Sequence, residues 1–112
     1  MKNLSFLAFG LLLAGCSAAP LSPQAVHVEL HTEKPSGTCQ PLGEAVGDQG
    51  NWVTGDFTSN KDLLLGARNS LRNKAAEMGG NYVWLQNTLN ASAWGSLGTT
   101  NTTAIGIVYR CQ

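Results

Sequence analysis

The spacing of hydrophobic positions along this chain switches between alternation and helical periodicity, and each switch marks an element. After an apolar stretch from Leu4 to Leu13 and a small, polar, proline-bearing run, "AVHVEL" alternates. Val26, Val28 and Leu30 fall on one face and His27, Glu29 and His31 on the other, which predicts a half-buried strand. "TEKPSGT" predicts a turn through its Pro and Gly. Residues 39–47, "CQPLGEAVG", predict a second strand, whose Pro41 suits an irregular or edge start. A polar, Gly-rich loop carrying Trp52 and Phe57 follows over residues 48–60.

The clearest element is a helix over residues 61–78. Leu64, Ala67, Leu71, Ala75 and Met78 recur at helical spacing, while Arg68, Asn69, Arg72 and Asn73 face elsewhere. Ser59 or Asn60 can cap its start with Asp62 in the first turn, and Gly79-Gly80 suits its end. Gly66 costs a helix about 1 kcal/mol relative to Ala, so packing must support it. Ala67 and Ala75 are small enough for close approach to a sheet. Residues 81–86, "NYVWLQ", predict a third strand, residues 87–101 a loop with Trp94, and residues 102–111, "TTAIGIVYRC", a fourth strand. The expected fold is therefore α+β, a two-layer ββαββ domain with one mixed four-stranded sheet and a single helix on one face. A helical crossover makes strands two and three parallel, and the loop connections make their neighbours antiparallel. Strand four is expected between two and three.

With 112 residues, the chain has room for one domain. Equal numbers of basic and acidic residues, only 12% charged in all, leave no electrostatic footprint for nucleic acid. Lys2 followed by the apolar stretch reads as a secretory signal over residues 1–15, too short to span a bilayer. Leu13-Ala14-Gly15-Cys16 resembles the bacterial lipobox, whose cysteine receives a diacylglyceryl group before cleavage. Several acyl chains on Cys16 make a stable membrane anchor. Ser17 after that cysteine goes, by the lipoprotein sorting rule, with the outer membrane and a periplasm-facing domain. Residues 16–24 are then lipidated cysteine and short tether, and residues 25–112 the domain. Extended, the eight tether residues reach only ~27 Å, so the domain sits close to its membrane.

With Cys16 assigned to lipid, the remaining cysteine count is even. In an oxidising compartment, Cys39 and Cys111 are expected to form a disulfide. An antiparallel pairing of strands two and four puts both at one end of the sheet. The loop so closed, ~72 residues, contributes roughly 4 kcal/mol by chain entropy.

Candidate chemistry is sparse. His27, Glu29 and His31 share a strand face, but side chains at i and i+2 stand nearly 7 Å apart and do not close on one ion without bending, so no metal is expected. Arg68, Asn69, Arg72 and Asn73 form either a polar pocket for a carboxylate or sugar, or a set that bridges neighbouring segments. Trp52 and Trp94 lie in the long loops, and Tyr82 and Trp84 lie on the sheet face opposite Val83 and Leu85. These aromatics either pack under loops or meet a partner. No GxSxG, Walker loop, HExxH or catalytic Cys/His set is present, so neither enzyme nor cofactor is expected.

"CQPLGEAVG", "ARNSLRNKAAEMGGNYV" and "GIVYRC" together resemble the YjeI-like family of small bacterial lipoproteins of unknown function. More distantly, the chain is similar to RcsF-type envelope-stress sensors, which carry four domain cysteines and a long tether where this chain has two and a short one. The expected role is a non-enzymatic binding or scaffold lipoprotein in the cell envelope. It would meet an unidentified envelope protein through residues 48–60, residues 87–101 or the open sheet face. A stress-sensing accessory is the second expectation, and a small-ligand or metal-binding module the third.

Overall fold

The computed structural model of the protein describes residues 18–50, 59–91 and 101–112. Within these, β1 (Glu29–His31), β2 (Cys39–Gly50), α1 (Asn60–Glu77), β3 (Tyr82–Ala91) and β4 (Asn101–Cys111) follow a short 3-10 turn at Pro23–His27. The four strands form one mixed sheet in the order β1-β3-β4-β2, with α1 on one face. β4 lies between β2 and β3 as expected and is antiparallel to both.

The helix forms where predicted. Ser59 caps it, its Oγ accepting from the Asp62 N–H at 3.1 Å. Gly79 ends it at φ 84°, a conformation that side chains resist, while the Gly80 N–H donates to the Ala75 carbonyl. Its buried stripe is Leu63, Gly66, Ala67, Leu71 and Ala75. Leu64 and Met78, expected on that stripe, are half-buried and 37% exposed respectively. The correction has one cause: the helix lies over β2 and β4 and barely touches β3.

Close approach sets this geometry. Gly47 of β2 lies directly under the helix, where a Cβ would run into the Leu71 N–H and the Ala67 carbonyl. On β4, the helix-facing residues are Thr102, Ala104, Gly106 and Val108, all buried. Gly66 leaves space for the Gln49 side chain, so packing does offset its low helix propensity.

Two expectations about the first strand need correcting. The alternating stretch from Ala25 to Leu30 is not one strand. Pro23 starts a 3-10 turn, the Val28 N–H donates to the Ala25 carbonyl, and Val26 is 56% exposed. Only Glu29–His31 has a ladder partner. That partner is β3, in parallel, so β1 is not the antiparallel neighbour of β2. The connection over residues 32–38 crosses the sheet instead of closing a hairpin. Three interstrand steps need ~14 Å, and seven extended residues reach ~24 Å.

Strand lengths also exceed expectation. β2 runs on to Gly50, and β3 continues past a bulge between Leu85 and Asn87 as far as Ala91. β4 supplies a ladder along both, which holds even the Asn/Thr-rich residues 87–91 extended. Because Gly50, Asn101 and Ala91 are in register, both long loops leave the same end of the sheet.

At the other end, Cys39 and Cys111 are directly paired and joined by a disulfide, with Cα atoms 4.0 Å apart. Asn81 reinforces this end: its Oδ1 accepts from the Cys111 N–H and its Nδ2 donates to the Cys111 carbonyl, each at 2.7 Å.

Gly47→Ala is expected to lower stability by about 2 kcal/mol through overpacking against helix backbone, although Ala is the better strand residue. Urea unfolding of the disulfide-intact protein measures it. Cys39→Ser is expected to cost roughly 4 kcal/mol in the same assay.

Candidate functional site

The polar row on α1 has a definite task. Asn69 Nδ2 donates to the Ala19 carbonyl at 2.9 Å. Asn73 works in both directions, accepting from the Ser22 N–H at 2.8 Å and donating to the Pro20 carbonyl at 3.1 Å. Arg72 donates through Nε to the Val28 carbonyl at 2.8 Å and through Nη2 to the Val26 carbonyl at 3.3 Å. Gln49 of β2 completes the set, its Oε1 accepting from the Ala19 N–H at 2.9 Å. Residues 19–28 are therefore strapped to the helix.

Of the two readings of this row, the bridging one holds for the polar atoms of Asn69, Arg72 and Asn73, while Arg68, Asn69 and Arg72 still line a concavity with Val26, Val28 and Glu29. One expectation is revised. Residues 19–22, expected in a tether, are docked, and Leu21 packs against the core. Alanine, proline and serine read as linker by composition, but their partners lie about fifty positions away and carry the only signal of docking.

Arg68 stands apart from that row. Its Nε is buried without a hydrogen-bond partner. It borders two concavities, one with Asn60, Leu64, Thr88 and Asn90, the other with His31, Leu65 and Arg72.

On the face opposite the helix, Tyr82 and Trp84 hold the crossing connection. The Tyr82 hydroxyl donates to the Glu33 carbonyl at 2.7 Å and Trp84 Nε1 to the Thr32 carbonyl at 3.3 Å. His31 stacks on Tyr82 with ring centroids 4.8 Å apart, and Tyr109 meets Tyr82 edge-on at 6.3 Å. Desolvation raises the Tyr82 phenol above its ordinary pKa, and the carboxylates of Glu33 and Glu29 and the Tyr109 ring add to it. It remains a donor at neutral pH. These two aromatics serve the chain's own connection before any partner.

Past that connection the face is open. Val46 is 45% and Leu89 49% exposed, with Ile105 and Ile107 half-buried between them. These residues lie outside the candidates the sequence offers, yet "AIGIV" holds the signal. With Ala104, Gly106 and Val108 under the helix, the larger Ile105 and Ile107 point away from it.

His27 sits in the 3-10 turn, so it does not share a strand face with Glu29 and His31. His31 Nε2 lies 3.8 Å from Glu29 Oε1 in an exposed pair. No group of three or more His, Cys, Asp or Glu residues is placed to hold a metal among the described residues. Cys16, Trp52 and Trp94 lie outside the described residues.

Comparison with known proteins matches residues 19–111 to a family described as a domain of unknown function (DUF4156). The match begins at Ala19, the first residue of the strap. The chain is also 38% identical over 102 residues to the "Uncharacterized protein YjeI" of Escherichia coli K12, covering 90% of this chain and 87% of that relative. The YjeI proteins of Escherichia coli O6:H1 and Shigella flexneri match to the same extent.

Arg72→Ala removes two bonds from a cation to backbone carbonyls and is expected to cost about 2 kcal/mol. Arg72→Lys recovers only part, because an ammonium cannot span both acceptors with the guanidinium's fork. Urea unfolding of both variants checks the order.

Proposed function

The chain belongs to the DUF4156 family that includes YjeI, and from that premise we propose that it is a lipid-anchored, non-enzymatic binding module of the bacterial outer membrane. It faces the periplasm and meets an envelope protein through its open sheet face. The observation that carries the binding role is that face. A single helix covers one side of the sheet, and Val46, Leu89, Ile105 and Ile107 leave a band of apolar side chains on the other.

Two further features support the reading. Leu13-Ala14-Gly15-Cys16 supplies the lipidation motif, and the Cys39–Cys111 disulfide suits an oxidising compartment. The strap then bears on location. With Ala19 hydrogen-bonded, only Ser17 and Ala18 separate Cys16 from the domain, a reach of ~10 Å. The module rides at the membrane surface, so its partner must be reachable there. The polar side chains that could have formed a reaction centre instead hold the fold together, which favours binding over catalysis.

In cells, Cys16→Ser is expected to abolish acylation and move the protein from the outer-membrane fraction to the soluble periplasm. A photoreactive residue at Val46 or Ile105 of the lipidated protein is expected to give one discrete adduct, identified by mass spectrometry, and the same residue at Lys74 none. Silence at both sheet positions contradicts the binding surface, and unchanged fractionation of Cys16→Ser contradicts the anchor.

A further inference from the structure

β1 stops early along β3. It pairs with Tyr82 to Trp84, while β3 runs on to Ala91. From Gln86 to Asn90 the outer edge has no strand beside it among the described residues. Alternate residues on such an edge present ladder groups outward. Thr88 illustrates its state, because its N–H is met at 2.8 Å by Asn87 Oδ1, a side chain of the same strand.

Because the helix leans over β2 and β4, a groove lies between α1 and this edge. It holds a cavity of about 370 Å³, lined on one side by Asn60, Leu64 and Arg68 at successive helical turns, and on the other by Thr88 and Asn90. Asn90 Oδ1 accepts from Thr102 Oγ1 at 2.8 Å, leaving its amide N–H groups as donors. None of these lining residues is acidic. Arg68 is thus a cation with a buried, unpartnered Nε at the wall of a groove whose described lining residues offer donors and no counter-charge, while Glu29 lines the other concavity that Arg68 borders. Arg72, one turn on, has its acceptors already. A carboxylate matches the planar guanidinium in charge and in hydrogen-bond geometry.

We propose that this groove receives an extended peptide segment of a partner protein, which adds to β3 beyond the end of β1 and sets an Asp or Glu side chain against Arg68. The ladder gives binding energy without regard to sequence. Arg68 gives selectivity, because a segment lacking the acid desolvates a guanidinium and leaves it unpaired. The groove is distinct from the open face, so the two surfaces can fail separately.

Panning a displayed random-peptide library against the full lipidated protein in detergent micelles tests this. Arg68→Gln and Arg68→Lys are run alongside, and a photoreactive residue at Thr88 or at Val46 locates the bound peptides. The enriched peptides are expected to share an Asp or Glu and to crosslink from Thr88. They should bind Arg68→Gln roughly tenfold more weakly and recover in part with Arg68→Lys. Enrichment without acidic residues, or no enrichment at all, overturns the proposal. So does unchanged affinity for an Arg68→Gln protein that melts like the parent. Adducts from Val46 alone overturn this site while supporting the open face. The crosslink map keeps Arg68 intact, so it remains decisive if Arg68→Gln does not fold.

Discussion

How close α1 lies to β2 governs what the rest of the molecule can present, and that distance is set where Ala67 and Leu71 pass over Gly47. At that crossing, backbone against backbone leaves no room for a side chain on Gly47. The helix-facing residues nearest it are also small, Ala45 on β2 and Ala104 and Gly106 on β4. Bulk is displaced outward, which is why Ile105 and Ile107 face away from the helix. The same seat draws the helix toward β2 and β4 and away from β3.

The outer side of the seated helix then works as a rail for the N-terminal segment. Asn69, Arg72 and Asn73 each bond to backbone, and Gln49 reaches past Gly66 to join them. Individually such bonds contribute about 1 kcal/mol. Together with burial of Ala25 and Val28 they make residues 19–28 part of the domain, in keeping with a family match that starts at Ala19. An anchor at Cys16 would therefore pull on a folded element and not on a loose linker.

Much of this is legible in the sequence. The helix, its Ser59 cap and glycine stop, the central place of β4 and the cysteine pair all follow from local pattern plus simple topology. The misses share a physical cause. Alternation from Val26 to His31 fits a six-residue strand, and equally a 3-10 turn running into a short one; Ser22-Pro23 was the discriminating signal. The side on which β1 docks depended on Tyr82 and Trp84 accepting a crossing connection, a long-range choice that a turn of Pro and Gly does not reveal. The extension of β3 through Asn87 and Asn90 came from the ladder with β4, against local propensity. Of the four polar helix residues weighed as a pocket, three hold the strap, and Arg68 is left at an open groove. Spacing alone made them equivalent.

The docked strap is what would tie the domain to an anchor at Cys16, and amide hydrogen exchange reads it directly. The Ala19 and Ser22 N–H groups are predicted to exchange far more slowly than unstructured chain, and the Ser22 protection to vanish in Asn73→Ala while the sheet amides keep theirs. Exchange of Ala19 and Ser22 at random-coil rates in the parent protein would contradict the account, returning residues 17–24 to a free tether and the domain to a variable distance from Cys16.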